Sequence, residues 1–141
     1  MWLWAPVDYA GKANCPEPVV YPILEKGKPA RFPDDITPPR TKRKRHPDYP
    51  SLPKSIHKLS ARVIVQGTID VDGNVGDIDT LNCRVKKGDK PLPKTEQDEM
   101  CVSFTASVKF AFTDWQYVPA MRGDAPVCVR WTAAFDFVPR K

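Results

Sequence analysis

With 141 residues, 41% of them hydrophobic and 16 of them proline, the chain can build one small core and must carry much irregular backbone besides. Its net charge of +5 sits at one end: residues 1–60 hold 11 Lys/Arg against 6 Asp/Glu, and residues 61–141 hold 11 of each. Overall basicity therefore says little about what the C-terminal part binds, and no apolar run is long enough to span a bilayer.

Residues 1–7 are apolar, but Asp8 interrupts them and no charged segment precedes them. They do not form a signal peptide; either a leader has been removed or there is none. Residues 1–58 read as a Pro-rich, basic, extended arm, in which Pro16, Pro18, Pro22 and seven later prolines break any helix. Apolar residues such as Val19, Val20 and Tyr21 expect this arm to pack partly on a domain or a partner, in polyproline-II segments mixed with short strands. The basic run Arg40, Lys42, Arg43, Lys44, Arg45 has three readings. A solvated linker is favoured over an anionic surface contact, and nucleic acid is disfavoured because no aromatic residue interleaves the cations.

Residues 60–71 alternate, with Val63, Val65, Gly67, Ile69 and Val71 on one face and Arg62, Gln66, Thr68 and Asp70 on the other, which predicts a half-buried strand. Asp72-Gly73 is a hairpin signal, and residues 75–85 return with Leu81, Cys83 and Val85 on the core face. The acids Asp70, Asp72, Asp77 and Asp79 fail the calcium-loop pattern at Val75 and read as turn residues. Thr95, followed by Glu96, Asp98 and Glu99, reads as a helix N-cap with acids in the first turn. Residues 100–112 are ambiguous: Met100, Val102, Phe104, Ala106, Val108, Phe110 and Phe112 alternate as a strand would, whereas Phe104, Val108, Ala111 and Trp115 fit a helical stripe.

Trp115 and Tyr117 are large anchors, and Pro119 stops any helix that reaches it. After the turn signal Gly123-Asp124-Ala125-Pro126, residues 127–138 alternate again. Val127, Val129, Trp131, Ala133, Phe135 and Phe137 share the core face; Cys128, Arg130, Thr132, Ala134 and Asp136 share the other. Four cysteines allow three pairings. Cys83 lies on the face where the helix should pack and Cys101 in the first helical turns, so these two are expected to bond. Cys15 with Cys128 would then tie the arm to the last strand. The wide spacing does not suit a zinc site.

Reactive groups do not converge. His46 and His57, the only histidines, lie in the arm, and no phosphate loop, His-Glu-x-x-His or Gly-x-Ser-x-Gly occurs. No catalytic residue, metal, cofactor or small-molecule substrate is expected.

The C-terminal half resembles the C-terminal domain of the TonB family, the energy transducers of the Gram-negative envelope. Trp115-Gln-Tyr117-Val-Pro119-Ala120 matches the pattern W-x-[FY]-x-P-A, and Gly123-Asp-Ala-Pro126-Val127 the following Gly-x-Pro-Val loop. Tyr49-Pro50 and Asp70-Val-Asp72-Gly73-Asn-Val75 match its upstream features, so the resemblance covers residues 46–138. It implies the helix reading for residues 96–112 and a periplasmic, non-enzymatic domain over residues 59–141 that binds envelope proteins by strand addition. The fold expected is α+β: an antiparallel sheet of about three strands with one packed helix, β-β-α-β, after the arm. The visible chain has no membrane helix, so an adaptor or structural subunit is favoured over a complete transducer. The last strand, through Val127, Val129, Arg130, Trp131, Thr132, Ala134 and Asp136, is the expected partner-binding edge. Its occupant would be an outer-membrane receptor, an assembly subunit, a second copy, or the arm itself.

Overall fold

The computed structural model describes residues 13–51 and 58–139; the apolar start at residues 1–7 and His57 lie outside them. The fold is α+β, built from small antiparallel sheets and one helix. In chain order the elements are β1 (Ile36–Thr37), β2 (Arg40–Arg43), β3 (Leu59–Ile69), β4 (Val75–Lys87), β5 (Lys90–Pro91), α1 (Lys94–Thr113), β6 (Gln116–Val118), β7 (Ala120–Arg122), β8 (Ala125–Val127) and β9 (Val129–Phe137). The largest sheet has the order β5-β4-β3-β9, so β3 is central and β9 is an edge.

The alternation in β3 sets the core. Leu59, Val63, Val65 and Ile69 are fully buried, and they meet Val85 of β4, Val129, Phe135 and Phe137 of β9, and Phe104, Val108 and Phe112 of α1. The helical stripe Phe104, Val108, Ala111, Phe112 is the buried one, while Val102 and Phe110, which made the segment look like a strand, are exposed. Period 3.6 therefore describes this segment, and the period-2 pattern is incidental. Tyr49 closes one end of the core, edge-on to Phe104 and Phe137.

The hairpin between β3 and β4 is organised by Asp70, only 3% exposed and accepting backbone N–H bonds from Asp72, Asn74 and Asn14. Gly73 has φ +85° and lies so close to β6 that a Cβ there would stand 1.9 Å from the Tyr117 carbonyl oxygen. Its own carbonyl accepts the Tyr117 N–H at 2.9 Å. Only glycine satisfies both the backbone angle and that approach.

Several expectations change. The β3–β4 register slips between Ile64 and Val65, leaving Leu81 as the extra residue on β4; Leu81 is exposed and not on the core face. The helix begins at Lys94, with Pro93 in the cap position and no side-chain cap, so Thr95 is not the N-cap. The Pro93 carbonyl accepts the Gln97 N–H instead. Cys128 separates β8 from β9, so residues 127–138 are not one strand, and Val127 is buried in a pairing with Ala120. The C-terminal end of α1, at Thr113, lies within a residue of the expected end at Phe112, and Pro119 follows β6.

The arm differs most. Ile36 and Thr37 pair with Arg122 and Met121, and Arg40 to Arg43 pair with β6. The basic run is thus a strand lying against the Trp115–Pro119 segment and not a free linker. Arg43 and Arg45 form ion pairs with Asp114, and Lys44 lies over the Trp115 ring. Short strands of two to four residues carry too little periodicity to announce themselves. The observed order consequently has more strands than β-β-α-β.

Both expected disulfides form. Cys83–Cys101 joins β4 to α1, and Cys15–Cys128 joins the arm to the start of β9 across 113 residues. No helix among the described residues is long and apolar enough to cross a membrane. The two disulfides fit an oxidising, extracytoplasmic compartment.

Candidate interaction edge

The direction of each backbone group on β9 follows from one bridge. Val20 of the arm lies parallel to β9: its N–H donates to the Cys128 carbonyl at 2.9 Å, and its carbonyl accepts the Arg130 N–H at 3.0 Å. Arg130 therefore points its backbone groups away from β3. Along a strand this alternates, so Trp131, Ala133, Phe135 and Phe137 bond to β3 while Thr132, Ala134 and Asp136 face outward. No backbone partner meets those three outward residues among the described residues.

The arm leaves after one bridge for a stated reason. Two residues beyond Val20 stands Pro22, which has no N–H to give to the Arg130 carbonyl. The arm turns away through a local hairpin, Ile23 against Arg31, and returns with Phe32 stacked on Trp131 at 5.9 Å. A groove of about 600 Å³ opens there, between Pro22, Arg31, Phe32 and Pro33 on one side and Arg130, Trp131 and Thr132 on the other. Pro22 and Phe32 escaped the sequence reading, because nothing local marks an arm residue as the neighbour of a strand so distant in the chain.

The strand's side chains divide in three ways. Val129, with Phe135 and Phe137, is core. Thr132, Ala134 and Asp136 are exposed, and Asp136 forms an ion pair with Arg62 at 3.8 Å. Arg130 departs from expectation. Its guanidinium is buried within its own sheet, donating to Thr68 Oγ1 and the Asp77 carbonyl, both at 2.8 Å, to Gln66, and to Asp79 Oδ2 at 3.1 Å. A guanidinium so fully bonded is not available to set register with a partner; it braces β3, β4 and β9.

The anchors brace the edge from the core side. Trp115 is half-buried, in edge contact with Phe112 and Phe135, and its indole N–H donates to the Arg45 carbonyl at 2.8 Å. Tyr117 is buried and lies edge-on to Trp131. Pro119 follows β6 and precedes β7.

Burial pushes the Tyr117 phenol up to about 12, against the pull of hydrogen bonds with Trp131 and Thr41. Between the ordinary tyrosine value of 10.0 and about 12, the unfolded chain has lost this proton while the folded chain keeps it. Stability conferred by the neutral phenol is therefore fully present below the unfolded value and lost as pH rises toward about 12. Burial also raises Tyr49, so an absorbance titration at the phenolate band should show late-titrating phenol whose amplitude falls by one tyrosine in Tyr117→Phe. A late amplitude unchanged in that variant would contradict the assignment.

Among the described residues, no cluster of three His, Cys, Asp or Glu side chains could hold a metal. No protein-family model matches this chain, and no curated protein matches it.

Proposed function

We infer that this chain is a non-enzymatic, TonB-like interaction domain of the periplasm. It acts as an adaptor or structural subunit of a cell-envelope assembly and takes an extended segment of a partner protein beside β9. The observation that carries this reading is the outward backbone of Thr132, Ala134 and Asp136, unpaired among the described residues on a strand braced from every other side. A row of such groups is a template for another strand. The arm's single bridge at Val20 is the same interaction in miniature. The pattern Trp115-x-Tyr117-x-Pro119-Ala120 and the oxidising compartment support the family assignment. The C-terminal part of a transducer that contacts outer-membrane receptors would use this same edge.

The basic run supports a packing role more than a nucleic-acid or anionic-surface contact. Arg43, Lys44 and Arg45 are engaged with Asp114 and Trp115, and among the described residues Arg40 and Lys42 have no ion-pair partner. Binding through these cations would fall steeply with salt, whereas strand addition would not.

The test is photo-crosslinking in the native envelope from a reactive side chain at Thr132, with the exposed Leu81 of β4 as control. A discrete adduct from position 132 and none from 81 is expected. That adduct should vanish when Ala134→Pro is added, because this proline removes an outward N–H and leaves the ladder to β3 intact. Equal crosslinking from both positions, or survival of the adduct in a folded Ala134→Pro variant, would overturn the reading.

A further inference from the structure

Charge on the central hairpin is sorted by end. Asp70, Asp72, Asp77 and Asp79 lie toward the β3–β4 turn. The opposite end, where β4 turns into β5, carries Arg62, Arg84, Lys86, Lys87, Lys90 and Lys94, all exposed. The register sets like charges directly opposite one another twice there, Arg62 against Arg84 and Lys87 against Lys90. Such pairs repel, and a bound anion relieves the repulsion. Arg62 has Asp136 at 3.8 Å. Among the described residues the other five cations form no ion pair, although Asp89 lies in the turn and Glu96, Asp98 and Glu99 open α1. The turn itself stands clear of the molecule: at Gly88 an added Cβ would meet nothing within 4 Å.

We propose that this basic tip docks on an anionic phospholipid surface, its cations meeting the lipid phosphates. Charge complementarity selects the sign of the partner, and the placing of the cations selects a surface over a peptide. Arg62, Arg84 and Lys86 lie on the sheet face away from α1, and Lys87 and Lys90 on the face toward it. The groove of about 590 Å³ between β4 and the start of α1 takes in only Arg84, Lys86 and Lys94 of the six, and shares them with the Asp98 carboxylate. An acidic peptide seated there would leave Arg62, Lys87 and Lys90 without a partner. A plane that meets the projecting turn reaches cations of both faces at once. The turn residues Lys87-Gly88-Asp89-Lys90 offer no apolar side chain to insert, so the contact is electrostatic and governed by salt. The acidic end of the hairpin then points away from the surface. β9 stands at the edge of the sheet opposite β5 and stays open, so the inference is independent of strand addition.

The experiment is flotation of the full oxidised chain with phosphatidylcholine vesicles, with and without phosphatidylglycerol. Binding to the anionic vesicles alone is expected, and its loss in about 1 M salt, where the screening length is about 3 Å. Lys86→Gln, Lys87→Gln and Lys90→Gln together should lower the partition coefficient about a hundredfold, since each cation near such a surface contributes about fivefold. Lys26→Gln, Arg40→Gln and Lys42→Gln remove the same charge from exposed positions of the arm and should leave most of the binding in place. Circular dichroism checks that both triple variants fold. No binding to anionic vesicles, equal binding to neutral ones, or equal loss in the two triple variants overturns the proposal. If vesicles fail while protein-bearing envelope membranes hold the parent and release the Lys86, Lys87, Lys90 variant, the tip meets an acidic protein and the lipid surface is wrong.

Discussion

Removing the arm's covalent tie by Cys15→Ser together with Cys128→Ser should lower stability by about 4 kcal/mol. Bridging residues 113 apart removes the loop-closure entropy of most of the chain from the unfolded state, and the chain-entropy estimate for a loop of this order is about 4.7 kcal/mol. Cys83–Cys101 closes only 18 residues and should contribute about 3 kcal/mol by the same account. Urea denaturation of the oxidised parent and the two double-serine variants measures both. The larger loss also has a local signature: the Val20 amide, bonded to the Cys128 carbonyl, should lose its protection once the arm is untied. Coincident denaturation midpoints for the parent and the Cys15→Ser, Cys128→Ser double variant would show that packing alone holds the arm.

The second large effect is at the junction of helix and edge. Phe112 is fully buried, with its ring edge-on to Trp115 and Phe135, so Phe112→Ala should cost about 3–5 kcal/mol and leave a cavity beneath β9. The sequence marked Trp115 as a large anchor, but Trp115 is half-buried, with Lys44 across its outer face. Trp115→Ala should therefore cost less, about 2–3 kcal/mol, and still be a folding defect. Thermal melts of both variants decide the order. A Trp115 variant that melts like the parent would place the indole in an exposed patch, and one costlier than Phe112→Ala would reverse the ranking argued from burial.

Periodicity made the centre of this fold legible. Val63, Val65 and Ile69 announced one buried face of β3, and Phe135 and Phe137 that of β9, because a two-residue repeat sustained along a whole strand matches the pleat and little else. The helix was harder, since Val102 and Phe110 completed a false alternation with no core to meet. The burial of Arg130 was not legible. Its position on the polar face of β9 was correct, but that face is wet only where neighbouring strands leave it so. Thr68 and Gln66 on β3 and the exposed Asp79 on β4, brought alongside by register, surround the guanidinium with polar partners that one strand's sequence does not reveal. The exposure of Leu81 was hidden in a bulge, where one extra residue breaks the alternation of faces along the strand. The strands of the arm were hidden by their length. The candidate edge was foreseen as a strand with an open side. The competitor on that side, Val20, was foreseen as well, but the residue that limits it, Pro22, was not.

Amide hydrogen exchange, read residue by residue along β9, tests the open edge most directly. In dilute solution Trp131, Ala133 and Phe135, bonded to β3, should exchange slowly, and Thr132, Ala134 and Asp136 should exchange faster by orders of magnitude. Adding native envelope extract should slow the second set and leave the first unchanged. If Thr132, Ala134 and Asp136 are already protected in the dilute chain, or stay fast while the chain is held in a complex, the edge of β9 is not where this protein meets its partner.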